Sequence, residues 1–221
     1  MSWMITATGA EYHLHGPGAM TDAGRPVRID DIAHQLAIIN RFHGATSRPY
    51  SVAEHSLLVS EIAQRHGMSS IIQLAALLHD AHEIYTQDLS SPGKAAVNSI
   101  SAQSGGTSAW TLFEHEHARQ LRKHFGVVTA FTSHRYALRY FDLLALATER
   151  RDLTAWQADA HRDWPVLTDS AGQHVKALGW LELNTPEREA MTWRDWRQQF
   201  QDRFDEIGIA MGVDLREGSA S

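Results

Sequence analysis

The chain has 221 residues, 43% of them hydrophobic, and a formal charge of −6 from 20 Lys+Arg against 26 Asp+Glu, with no cysteine. That length favours one domain with a sizeable core, and the acidic balance argues against a basic face for bulk nucleic acid. Absence of cysteine excludes disulfides and thiolate zinc sites and suits a reducing compartment, while no apolar run nears the roughly 20 residues of a membrane span.

Met1 to Ala10 lacks a basic stretch followed by an apolar one, so no secretory signal is expected and the chain is assigned to the cytoplasm. Residues 3–29 carry short β-leaning pieces broken by Gly9, Gly16, Pro17 and Gly18, the pattern of a small hairpin or an extended lead-in. His13 and His15 read there as exposed hairpin residues. A helix is predicted from Ile29, capped by Asp30 or Asp31, burying Ile32, Leu36 and Ile39 and stopped by Gly44. Arg41 and Phe42 lie at its end. A cation and a ring there can grip a phosphate and stack on a base, or serve as dipole partner and core plug.

Ser51 is predicted to cap a second helix, with Glu54 at capping-box spacing and Val52, His55, Val59 and Ile62 on the buried face. A third helix is predicted over Ser69–Tyr85, apolar at Ile71, Leu74, Ala75 and Leu78 and ending in His79-Asp80-Ala81-His82-Glu83. Such a crowd of ionisable groups at the end of an apolar helix needs neutralising, and a bound metal ion does this. Asp88 and Lys94 follow in a loop, and residues 98–108 read as a second, mobile loop. Trp110–Phe125 reads as a helix whose Glu114-His115-Glu116-His117 run is a solvated face, because it lacks the His-to-His step of four that a zincin helix needs. The Arg135–Thr154 helix places Asp142 on a face with Ala145, Leu146 and Glu149 in apolar surroundings. Either a salt bridge to Arg139 or Arg150 or a metal ion would satisfy it. Beyond a Trp-rich loop, Thr185-Pro186 starts a C-terminal helix over 186–210 with an aromatic stripe at Trp193, Trp196, Phe200, Phe204 and Ile207. Residues 216–221 are expected to be a disordered tail to a single domain of 1–215.

The candidates, His55, then His79-Asp80, then Asp142, lie on three helical segments in an order that resembles the HD-domain phosphohydrolase superfamily. Asp31-Ile32-Ala33-His34, Arg41-Phe42, Tyr50-Ser51-Val52-Ala53-Glu54-His55-Ser56 and Ala76-Leu77-Leu78-His79-Asp80-Ala81-His82-Glu83 with Asp88 are similar to the bacterial and phage branch of 5'-deoxynucleotidases. The likeness covers about residues 28–153. It implies an all-α helical bundle behind the hairpin. It also implies that His55, His79, Asp80 and Asp142 bind one divalent ion and that Glu83 orients or deprotonates the attacking water. By the same likeness Arg41 and Lys94 hold phosphate, and Phe42 and Asp88 contact the sugar. Phe42 stands where that branch often has Trp, and His82 where it often has a small residue, so His82 either reshapes the pocket or reaches the phosphate. Two imidazoles and two carboxylates make a mixed donor set suited to Mn, Co, Fe, Ni or Zn, with Mg also admitted. The expected function is a metal-dependent phosphohydrolase of small nucleotides, first a deoxynucleoside 5'-monophosphatase. The alternatives are a deoxynucleoside triphosphate phosphohydrolase of the same fold and a non-catalytic nucleotide-sensing module. A small nucleotide is the expected partner, with no membrane, in a homo-oligomer with a dimer favoured.

Overall fold

A computed structural model describes residues 3–14, 27–168 and 172–216. His15, Gly16, Pro17 and Gly18 of the lead-in, and Glu217 to Ser221 of the expected tail, lie outside the described residues. Strands β1 (Trp3–Ile5) and β2 (Glu11–His13) pair antiparallel with Met4 opposite Tyr12. Gly9 makes their turn at φ +87°, where a side chain would be strained. His13 is half-exposed, whereas Tyr12 is buried and pins the hairpin to the helices. Its ring stacks on Tyr85 with centroids 3.4 Å apart, and its hydroxyl meets His117 Nδ1 at 2.9 Å.

Among the described residues, ten α-helices make the rest of the fold all-α. Helix α1 (Ile29–Ile38) buries Ile32, Ala33 and Leu36 as its periodicity demands, and Ile39 packs on the core just past its end. Neither Asp30 nor Asp31 caps it. Asp31 instead accepts from the Thr8 amide at 2.6 Å and the Thr8 hydroxyl at 2.8 Å, and Asp30 accepts from Gln201 at 2.6 Å. Both acids stay at the positive end of the helix while tying distant segments to it. A short 3-10 turn, Arg41–Gly44, then carries Phe42 and His43 at positive φ (54° and 53°) before Gly44. Left-handed backbone costs a non-glycine residue on the order of 1 kcal/mol, so this turn is held by its surroundings.

Helix α2 (Val52–Arg65) runs through the centre and packs on α1, on α3 (Ser70–Leu77) and on the later helices α8 (Arg135–Leu153) and α10 (Trp193–Met211). Ser51 caps it by accepting from the Glu54 amide at 3.2 Å. The Glu54 carboxylate does not close a capping box. It is buried, bidentate on Arg48 at 2.6 and 2.9 Å, with Arg188 at 2.8 Å. The expected Ser69–Tyr85 helix is interrupted. After Leu77 the backbone tightens to i−3 hydrogen bonds, with Ala81 N on Leu78 O at 3.2 Å and Glu83 N on Asp80 O at 2.9 Å. Helix resumes only for one turn as α4 (Glu83–Thr86).

The stretch 98–108 is also not one loop. Helix α5 (Ser91–Gln103) includes Asn98, whose side-chain oxygen accepts from the Trp110 and Thr111 amides and so caps α6 (Ala109–His124). No α5 residue is buried, so its sequence carries no apolar stripe to announce it. Helix α7 (Val128–Ser133) leads into α8. The predicted C-terminal helix divides into α9 (Pro186–Ala190), capped by Thr185, and α10, which restarts with a Thr192–Asp195 capping box. Trp196, Phe200, Phe204 and Ile207 are buried and Trp193 is half-buried, so the aromatic stripe is core. One continuous apolar core runs from Tyr12 to Ile207. No helix among the described residues is long and apolar enough to cross a membrane.

Candidate metal centre

His55 comes from the first turn of α2, where the apolar face that buries Val52, Val59 and Ile62 also carries its ring inward. It is fully buried, and a buried imidazole needs both nitrogens satisfied. Its Nδ1 is 2.5 Å from Glu149 Oε1 on α8. Glu149 also accepts from the Tyr50 hydroxyl at 2.9 Å and from Arg41 at 3.2 and 3.3 Å. These partners hold its carboxyl below the usual range even though burial pushes it up.

His79 leaves the broken end of α3, and its Nδ1 lies 2.8 Å from the Ala76 carbonyl. A carbonyl and an ionised carboxylate only accept, so both rings carry a proton on Nδ1, and each ring when neutral leaves a lone pair on Nε2. Those two Nε2 atoms face each other at 3.1 Å. Asp80 Oδ2 is 3.1 Å from His79 Nε2 and 3.6 Å from His55 Nε2, and Asp142 Oδ1 is 3.5 Å from His55 Nε2. Three of these atoms, on His55, His79 and Asp80, lie mutually close, and such electron-rich atoms repel unless a positive charge, a bound cation or a protonated imidazole, lies among them. Two donors about 2.1 Å from one ion and at right angles stand about 3 Å apart, so the spacing fits a divalent cation. The Glu149 and Ala76 contacts are of the kind that fix histidine tautomers at metal sites. His55, His79 and Asp80 are close enough to hold a metal ion, as are Asp80, His82 and Glu83. Asp142 also has its salt-bridge partner, for Oδ2 accepts from Arg139 at 2.8 Å while Oδ1 faces His55.

Without a cation the charges balance among themselves. Burial and Arg41 pull the His55 imidazole down, but Glu149 and Asp142 push it up to about 9. Burial raises Asp142, yet the His55 hydrogen bond holds it at about 2. Asp80 is likewise raised by burial and held well below its usual range by His79 and His55. Glu83 behaves oppositely. Burial, then the charges of Asp80 and Asp88, hold its proton well above the usual carboxylate range. Its Oε2 is buried without a hydrogen-bond partner. The charge of a cation in the cage would loosen the hold on that proton and leave a carboxylate able to take and return one.

A cavity of about 1290 Å³ opens on this cage, and every candidate except His55, which lies behind it, lines the wall. Phe42 lines it too, its ring 6.0 Å from that of Trp164, and Asp88 attracts the charge of Arg41 and repels that of Glu83. Arg41 reaches the cavity, but its guanidinium is bound to Glu149 and lies 3.6 Å from Asp80, so it serves the cage first. Lys94 is 2.5 Å from Glu114. That contact corrects the reading of residues 114–117 as a solvated face. Glu114 is on the cavity wall, 3.3 Å from His82 Nε2, and His117 is 1% exposed against Tyr12. Glu149, Glu114 and Trp164 are the site residues the sequence did not single out as such. The only signal for Glu149 was its two-turn step from Asp142.

The HD-domain family model matches residues 52–169, a span that holds His55, His79, Asp80 and Asp142 and begins after Arg41 and Phe42. A 139-residue stretch is 34% identical to the uncharacterized protein YfdR of Escherichia coli K12, over 63% of this chain and 66% of that protein. Another of 100 residues is 42% identical to an uncharacterized protein of Rhodobacter capsulatus, over 43% of this chain and 48% of the relative. The chain therefore spans less than two thirds of the length of either relative. Three helical segments bring the paired histidines and the aspartates together within the matched span, and this chain belongs to the HD-domain family, whose members are generally metal-dependent hydrolases.

Proposed function

We propose that this protein is a metal-dependent phosphohydrolase of small nucleotides, with deoxynucleoside 5'-monophosphates as its first substrates. The observation that carries this reading is the pair of inward Nε2 atoms 3.1 Å apart, flanked by Asp80 and Asp142 at the mouth of a cavity of about 1290 Å³. His55, His79, Asp80 and Asp142 would hold one divalent ion, of the Co, Mn, Zn, Fe, Ni or Mg class. When bound, that ion lowers the pKa of water toward neutrality and offsets charge on the phosphoryl oxygens. Glu83 aligns the attacking water and takes its proton at Oε2, the atom left without a partner. Glu149 keeps His55 in the tautomer that presents Nε2. Phe42, paired with Trp164, gives an aromatic surface for the nucleoside, and Asp88 accepts from a sugar hydroxyl. Lys94 adds positive charge on the wall.

One observation favours the triphosphate alternative. About 1290 Å³ exceeds the 300–1,000 Å³ typical of small-ligand pockets. Release of phosphate, pyrophosphate and triphosphate across a nucleotide panel, with Mn or Co supplied, separates the readings. Orthophosphate from monophosphates supports the first choice, and triphosphate release alone overturns it. Tight nucleotide binding without turnover would leave the sensing module.

A further inference from the structure

Five cationic side chains line the cavity beside the cage: Arg41, Lys94, Arg122, Arg135 and Arg139. Three have a carboxylate partner: Arg41 has Glu149 at 3.2 Å, Lys94 has Glu114 at 2.5 Å and Arg139 has Asp142 at 2.8 Å. Arg135 is exposed and donates to the Tyr136 hydroxyl at 2.7 Å, so water solvates its charge.

Arg122 differs from these four. It is half-buried near the end of α6, and its Nε is shut off from solvent without a hydrogen-bond partner. No hydrogen bond or ion pair joins its guanidinium to another described residue. It lies over the Phe131 ring, with Cζ 4.1 Å from the centroid. Glu114, Ala118 and Arg122 follow at steps of four along α6, and all three line the cavity, so one stripe of the helix faces it. Asp80 and Glu114 attract Arg122 from a distance, yet burial outweighs them and lowers its hold on the proton. Both carboxylates already have closer contacts, Asp80 with His79 at 3.1 Å and Glu114 with Lys94 at 2.5 Å.

A half-buried cation with no anion is a cost to the folded state. That cost is relieved when an anion arrives, and a guanidinium matches two phosphate oxygens at once. We propose that Arg122 is the cavity cation that receives the substrate's phosphate, in place of Arg41, which Glu149 already holds. The identity of the ligand rests on the phosphohydrolase reading; the unpartnered guanidinium does not.

Titration calorimetry of the Mn-loaded protein with inorganic phosphate tests this. Arg122→Gln should weaken phosphate binding by at least about tenfold, the usual worth of a hydrogen bond to a charged group. Arg122→Lys should fall between, and Arg135→Gln should match the parent protein. The thermal midpoint of Arg122→Gln should hold or rise, because the change removes an unpaired charge. Unchanged phosphate affinity in Arg122→Gln overturns the proposal, as does a parent protein that does not bind phosphate at millimolar concentration. Nucleotide turnover followed in parallel keeps the two readings apart. Arg122-dependent phosphate binding without any turnover leaves the subsite and removes the enzyme. Turnover with unaltered KM in Arg122→Gln leaves the enzyme and removes the subsite.

Discussion

On the side of the cavity built by α2 and α8, each ionisable group has a partner fixed by the fold. His55 rests on Glu149, Glu149 also takes Tyr50 and Arg41, and Asp142 takes Arg139. On the side built by α4 and α6, groups just as buried go without. Glu83 Oε2, His82 Nδ1 and Arg122 Nε have no hydrogen-bond partner. The difference has a physical meaning. On the proposed reading, a cage holds its donors in one geometry before the ion arrives, so its outer contacts are complete. A wall that meets a changing ligand needs groups whose best partner is that ligand, and it forgoes some stability to keep them.

Substitutions can break this contrast. The largest effect is expected at Asp80, whose carboxylate meets both histidines. Asp80→Ala should remove bound metal, read by elemental analysis, and with it all measurable turnover; retained activity would refute the ligand assignment. Glu83→Ala should keep the metal and slow turnover by about 10²–10⁴-fold, the range for a proton-transfer group. Loss of metal in that variant would move Glu83 from the wall into the cage. Glu149→Gln tests the outer contact alone. Metal affinity should fall by about 10–100-fold, and the thermal midpoint should fall with it because Arg41 loses its counter-charge. An unchanged metal affinity would show that His55 does not need its support.

The smallest effect concerns pH and Glu114. Burial pushes its carboxyl up, but His82 and Lys94 overcome this and hold it below the ordinary value of 4.5. A depressed pKa adds stability that is complete above 4.5 and is lost as the pH falls through and below it. Glu114→Gln should therefore flatten the acid side of a plot of thermal midpoint against pH. A variant that keeps the parent's slope would show that the contacts of Glu114 with His82 and Lys94 contribute nothing.

Much of this was legible along the chain. Apolar steps of three and four gave α2, α6 and α8 nearly to the residue and the start of α1 but not its end, and Ser51 marked the start of α2. The same steps hid the break after Leu77, because Leu78 and Ala81 are buried whether the backbone is helical or tightly turned. Exposed α5 had no apolar stripe to find. Asp31 and Glu54 are suited to capping but were taken by Thr8 and by Arg48, partners that local spacing cannot rank.

The site divides along the same line. By itself the sequence determined an all-helical chain with His55, His79-Asp80 and Asp142 at the apolar faces or ends of separate segments, because periodicity and residue chemistry are local properties. Only the tertiary structure decided that Glu149 supports a histidine 94 positions earlier in the chain. It also decided that Glu114 closes on Lys94, and that Arg122 faces the cavity without a partner. The pairing of buried charges depends on how helices far apart in sequence pack, and in a cavity this crowded with acids and bases many pairings are chemically equivalent until packing selects one.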